Sequence, residues 1–450
     1  FHPKKGGTMG IEISSHFSYR KLMRFVFPSI ATMIFLSTYS IIDGFFVSNY
    51  VGDRAFAAIN LIFPALGIFG CVGAVIGAGG SALIGKRLGQ QRIEEACSLF
   101  SSLSLAGLAI GFVLAACAWC VMPWIASGMG AEGEMLRESV FYGRILLISF
   151  PMHLLQRIYH SFAVTAGKPP LAFWTNVASG VINLAFDYLF IVCFGWAVAG
   201  AAWATVLAEF TGGLIPVLYF LFHRDGVLHL GQPRLRTGDF LKVCSNGISQ
   251  FLTGLSMSFL AMVYNYQLLR FVGEKGVAAF GVIMYISFVF ESAYLGYAQG
   301  IAPVISYNYG ADNRKELGNV FRKSLMFYAV TGALVTIGSL VFASPLAWLF
   351  TGYSQELYAL TLHGLRLYAL SFTISGFPIF AASFFTALNN GPVAAEISVC
   401  QSILFELIAV VMLPLILGVD GIWVSVDAAN VAAVILSVYF WKRYQPRYGY

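Results

Sequence analysis

The residues equipped for chemistry in this chain are carboxylates in an apolar setting. The stretch from Phe25 to Tyr50 is greasy enough to cross a membrane and carries one charge, Asp43, four residues after Tyr39, with Pro28 near its start. A second stretch, Leu171 to Phe194, reads LAFWTNVASGVINLAFDYLFIVCF; its one charge is Asp187, and Asn183 precedes it by four residues. That spacing aims Asn183 and Asp187 from one helix face. An ionised carboxylate in hydrocarbon costs several kcal/mol, so each needs a partner, a proton or a function. Two carboxylates with an amide and a hydroxyl are hard oxygen donors, suited either to a proton held by the pair or to a small hard cation such as Na+. Close carboxylates also resist ionising together, which makes proton uptake possible.

Other polar groups within apolar stretches are candidates for substrate contact. Glu291 lies in VFESAYLGYAQG with Tyr294, Tyr297 and Gln299 nearby, and Glu406 and Glu209 are further lone acids. A cavity carboxylate flanked by aromatic faces would attract a cation. Asp427 and Glu396 sit nearer helix ends and read as structural. Cys117 and Cys120 form a CxxC inside a membrane stretch with no basic neighbour, so they read as packing residues rather than reactive thiols. GAGGS at Gly77 follows no strand and lacks the Lys-Ser/Thr of a phosphate loop; it reads as small residues that let helices approach closely.

The elements that must hold these groups are membrane helices. Of 450 residues, 58% are hydrophobic and only 11% charged, with a mean hydropathy of +0.76. Period-two alternation is absent, which argues against a β-barrel. Apolar runs long enough to span the hydrocarbon as helix fall at about 25–50, 56–85, 98–123, 140–163, 171–194 and 197–222. After a polar linker, 223–240, six more fall at about 245–271, 277–307, 322–349, 360–387, 394–417 and 421–441. The fold class expected is therefore an all-α membrane protein with twelve transmembrane helices: residues 1–222 as a first lobe, 223–240 as a cytoplasmic linker, 241–450 as a second lobe. Lys and Arg crowd one set of loops, among them Lys86, Arg87, Arg234, Arg236, Arg314, Lys315 and Lys442, while the opposite set holds little beyond Arg54, Arg137, Arg270 and Lys275. The rich side is expected to be cytoplasmic, with both termini there and the chain in the cell's inner (plasma) membrane. The formal charge of +6 thus reports topology and does not point to nucleic acid. The leading stretch FHPKKGGT is basic, with no signal-peptide core directly after it.

The halves repeat. GDRAFAAINL at Gly52 matches GEKGVAAFGV at Gly273, KRLGQQR around Gly89 matches NYGADNR around Gly310, and VAGAAWA at Gly200 matches VDGIWVS at Gly421. Each match is offset by 221 positions. Two six-helix copies in parallel orientation are expected to be related by a pseudo-two-fold axis along the membrane normal, with a cavity between or within them. With the first and fifth spans running outward, Asp43 lies about 27 Å and Asp187 about 24 Å from the inner surface, and Thr205 lies about 12 Å from the outer one. All three are expected in the outer half of the membrane.

At these residues the chain resembles the multidrug and toxic compound extrusion (MATE) family, more closely its DinF-type prokaryotic branch. That branch has a Pro and a Tyr before an Asp in the first helix, an Asn and Asp four apart in the fifth and a Thr in the sixth; here these read Pro28, Tyr39, Asp43, Asn183, Asp187 and Thr205. Where that branch carries amides in the fourth helix, the corresponding stretch here holds Gln156, Arg157, Tyr159 and His160, a departure from the branch's pattern. The resemblance implies secondary active efflux of organic cations or amphipathic drugs, driven by H+ or Na+ entry through alternating access, without an enzymatic activity or cofactor. It implies ion coupling at Asp43, Asn183, Asp187, Thr205 and Tyr39, helix bending at Pro28, and a monomer working in the lipid bilayer. Two other readings compete: a lipid-linked oligosaccharide flippase of the same superfamily, which a basic central cavity would favour, and a channel, which duplicated lobes do not favour.

Overall fold

The computed structural model describes residues 15–51, 53–223, 226–234, 236–352 and 354–450, and all regular structure among them is helical. The basic stretch 1–14, Gly52, the Arg54 side chain and Arg224 lie outside the described residues. A chain crossing hydrocarbon must satisfy its backbone internally, and helices do this within one segment.

The first half forms α1 (Tyr19–Tyr50), α2 (Asp53–Gly89), α3 (Ile93–Gly128), α4 (Gly133–Thr165), α5 (Pro169–Asp187) and α6 (Ala197–Phe222). The second half forms α7 (Thr237–Phe271), α8 (Glu274–Gly310), α9 (Arg314–Val341), a short α10 (Ala343–Thr351), α11 (Gln355–Tyr368), α12 (Gly376–Ala387), α13 (Gly391–Val399), α14 (Glu406–Met412), a single-turn α15 (Pro414–Leu417) and α16 (Val419–Tyr448). Eleven passages among the described residues are long and apolar enough to cross a membrane. The twelfth, α4, has the length, at 33 residues, but carries Arg137, Glu138, Arg144, His153, Arg157 and His160. Four expected spans are interrupted. The fifth breaks at a π-helical turn, Tyr188–Cys193, and the ninth at Phe342, between α9 and α10. The tenth breaks at a 3-10 turn, Ala369–Thr373, and the eleventh at a π-helical turn, Cys400–Phe405. Most helices overrun the apolar stretches that marked them: α1 starts at Tyr19 and α16 reaches Tyr448. Hydropathy marks only the part inside hydrocarbon, whereas backbone hydrogen bonding continues into the polar flanks.

In the first half α4 packs against α2, α3 and α6, and α5 lies on α6; in the second half α8 packs against α11 and α12. The halves meet through α2 on α7, α1 on α8, and α2 on α8. These contacts come in reciprocal pairs. A Cβ on Gly89 would lie 2.0 Å from Tyr307 O, and one on Gly310 would lie 2.0 Å from Lys86 O; both members of the pair are shifted by 221 positions. Gly79 abuts Val243 and Gly300 abuts Val26; likewise Gly247 abuts Val75 and Gly296 abuts Ile30. Only glycine permits such backbone approach. Gln91 (φ 60°) and Asp312 (φ 52°), again 221 apart, share a left-handed turn conformation. A pseudo-two-fold axis therefore passes between α2 and α8. GAGGS, which contains Gly79, is part of this seam.

One buried apolar cluster takes residues from both halves at the end of the bundle bearing the termini, from Phe17 and Leu88 to Ile305 and Tyr450. Toward the other end the cores are separate: Ile62, Met122, Leu146 and Val206 in the first half, Leu260, Ile283, Leu365 and Trp423 in the second. The halves are thus joined at one end and independent at the other. The linker is tied down, with Leu228 buried and Gly231 N donating to Ser101 Oγ of α3 at 2.8 Å. The segment before α1 is pinned to the second half, where Phe17 N donates to Glu316 Oε1 at 2.9 Å.

Candidate functional site

The first-half carboxylates are brought together. α1 runs as helix through Pro28, whose carbonyl accepts from Thr32 Oγ1 at 2.7 Å, and delivers Tyr39 and Asp43 one turn apart. Asp187 is the last residue of α5 before a π-helical turn, Tyr188–Cys193, a widened form that recurs at functional sites. Asn183 and Asp187 are fully buried, while Asp43 is half-buried and faces a cavity between the halves. In the amide orientation that satisfies its neighbours, Asn183 Nδ2 lies 2.5 Å from Tyr39 Oη, 3.0 Å from Asp187 Oδ2 and 3.2 Å from Asp43 Oδ1, and its oxygen accepts from Thr205 N at 3.2 Å. The two carboxyl groups thus meet at the one Asn183 amide. Asp187 Oδ1 is buried without a hydrogen-bond partner among the described residues. Thr205 Oγ1 turns back to Ala201 O at 3.0 Å.

The cavity, about 480 Å³, is lined by α1, α2, α4, α5 and α6 and, from the second half, by residues that include Gln250, Tyr285 and Gln299. Its polar wall is mainly α4. Gln156 Nε2 donates to Asn176 Oδ1 at 3.1 Å; Asn176 Nδ2 is 3.2 Å from His160 Nδ1; His160 Nε2 is 2.9 Å from Gln299 Oε1, closing a chain across the two halves. Beside it, Arg157 Nε donates to His153 Nε2 at 3.0 Å, His153 Nδ1 lies 2.9 Å from Glu209 Oε1, and Ser149 Oγ donates to Glu209 Oε2 at 2.6 Å.

Among the second-half candidates only Gln299 lines this cavity. Tyr294 and Tyr297 are core residues: their hydroxyls bond Phe372 O at 2.7 Å and Ser324 Oγ at 3.0 Å, and neither ring is exposed. The reason is helical phase. Tyr294 and Tyr297 share a face, and Gln299 lies about 200° round from Tyr297. Glu291 does not line the cavity, and Glu406 is engaged by Tyr264 Oη at 3.2 Å inside the second half. Cys117 and Cys120 are exposed, unbonded cysteines. His153, Tyr142, Asn176 and Ser179 are cavity-side residues that sequence reading did not single out; Ser149 lies buried behind them, on Glu209. The available signal was the polarity of α4, whose residues 149, 153, 156, 157 and 160 recur at helical spacing on one face.

The MatE family model matches residues 28–189 and 250–412, one segment in each half. The chain is 24% identical over 421 residues to the multidrug export protein MepA of Staphylococcus aureus (strain MRSA252), covering 92% of each chain. It is 24% identical over 419 residues to the protein of the same name in Staphylococcus saprophyticus, again covering 92% of each. Among solved structures, a MATE protein in the straight conformation superposes with a TM-score of 0.93 at 21% identity, over 99% of this chain and 100% of that one. An outward-facing multidrug resistance MATE family transporter of the MOP superfamily superposes at 0.92 and 22% identity, over 99% of this chain and 100% of that one. With two reciprocal halves, a carboxylate pair and an interlobe cavity, and with the family model matching both halves, the chain belongs to the MatE family of transporters.

Proposed function

We infer that the chain exports amphipathic small molecules by alternating access, in exchange for protons bound at the Asp43–Asp187 pair. The observation that carries this reading is the meeting of the two carboxyl groups at one amide, beside a drug-sized cavity between the halves. The relatives' name, multidrug export protein, supports the direction and breadth of transport. The loop bias of Lys and Arg supports a plasma-membrane protein with cytoplasmic termini; the joined end would then be the inner one and the cavity would open outward. A proton from outside would bind the pair, release α1 from one arrangement, and leave on the inner side as the cavity alternates.

Na+ is the second reading, since two carboxylates and the Tyr39 and Thr205 hydroxyls are hard donors. The amide favours the proton: Asn183 turns N–H toward both carboxylates and spends its oxygen on Thr205 N, which removes one oxygen from a cation shell. Purified protein in vesicles should expel a fluorescent amphiphile under an imposed pH gradient and not under a Na+ gradient of equal size. Transport that follows the Na+ gradient alone would transfer the site to the metal ion, and transport under neither would remove ion coupling.

A further inference from the structure

Arg157 stands on α4, exposed in the interlobe cavity, where an apolar environment makes an open guanidinium expensive. Its Nε is fixed by His153, and no other hydrogen bond among the described residues reaches its terminal nitrogens. His153 accepts on Nε2, so its proton is on Nδ1 and donates to Glu209, which Ser149 holds from behind. The fork is thus aimed by a chain of three side chains while its two-pronged face is left open. α2 makes room for it: a Cβ on Gly70 would lie 2.9 Å from His153 Nε2 and 3.6 Å from Arg157 Nε, and one on Gly73 would lie 3.2 Å from Arg157 Cβ. The same cavity is lined by apolar and aromatic side chains that include Met33, Leu36, Phe63 and Tyr285. A planar fork beside greasy walls fits an anionic group on an apolar body.

We propose that Arg157 is a substrate-carboxylate subsite, so that the amphiphiles this transporter prefers carry a carboxylate. The inference rests on the export reading and deepens it. Carboxylate and phosphate offer the same oxygens to a guanidinium, so an anionic lipid headgroup is the alternative source of that chemistry.

The test compares rhodamine B, which has a free carboxylate, with its ethyl ester, which lacks one. Binding to purified full-length protein is read by fluorescence anisotropy, and efflux by vesicle transport. Wild type should bind the acid about tenfold more tightly than the ester. Arg157→Gln should erase that difference by weakening the acid alone, with ester binding reporting an intact fold, and Arg157→Lys should fall between. No preference in wild type, or equal loss of both dyes in Arg157→Gln, would overturn the subsite while leaving export standing. Binding and efflux of neither dye by wild type would overturn both. Displacement of the acid by phosphatidylglycerol but not phosphatidylcholine would reassign the fork to lipid phosphate and overturn the carboxylate assignment.

Discussion

The Asn183 amide has two N–H groups and three oxygen partners within reach, on Tyr39, Asp43 and Asp187. It ties a cavity-facing carboxylate to a buried one, so removing either carboxylate or the amide should have the same consequence. Asp187→Asn, Asp43→Asn and Asn183→Leu are each expected to cut pH-driven efflux by at least about tenfold, roughly the worth of one charge-assisted hydrogen bond, with normal amounts of folded protein in the membrane. Unchanged drug resistance in cells carrying Asp187→Asn would remove the pair from the mechanism. Tyr294 behaves differently. Its hydroxyl serves a buried carbonyl, so Tyr294→Phe should cost about 1 kcal/mol of stability and lower the thermal unfolding midpoint in detergent. Its substrate pattern should stay that of wild type; an altered pattern would return the hydroxyl to the cavity.

Helix α4 is the element on which the cavity's character turns, and α2 is shaped to receive it. Gly70→Ala should push His153 and Arg157 out of position and weaken binding of carboxylate-bearing dyes. Gly67→Ala, where a Cβ meets nothing within 4 Å, should leave binding as it was. Equal behaviour of the two variants in a binding titration would mean the α2 face does not position the fork. This helix also marks the limit of what could be read in advance. Asp43 and Asp187 were visible because each is the one charge in an apolar stretch, and Asn183 because i,i+4 spacing fixes a shared face. In α4 the family resemblance pointed to Gln156, Arg157 and His160, but Tyr142 and His153 were not visible, because a helix with many charges offers no single one to notice, and which of them face a cavity depends on neighbours 50 or more residues away, as His153 depends on Glu209. The repeat was legible through three matched segments, but the pairing of α1 with α8 and α7 with α2 was not, since repetition alone does not say whether copies keep their helices to themselves.

At the scale of the whole molecule, transport by alternating access requires the seam between α2 and α7 to part. A Cβ on Gly254 would lie 2.7 Å from Cys71 Sγ, close to what a disulfide needs. In a chain whose other cysteines are replaced, Gly254→Cys should oxidise onto Cys71, stop efflux, and regain it on reduction. Free passage of substrate with the crosslink in place would show that this seam does not open during the cycle. The reciprocal packing across the same seam bears on descent. Each half sets its first helix against the second helix of the other: α1 touches α8 at Ile30 and Gly296, and α7 touches α2 at Gly247 and Val75. Two identical chains associating about a two-fold axis make contacts of this kind, each residue pair occurring twice. Exchanged helices of this kind are what fusing the six-helix protomers of such a homodimer would leave. Neither half should persist alone, because each leaves a glycine-notched helix face uncovered, whereas the two half-chains expressed together from separate genes should find each other and restore a working exporter.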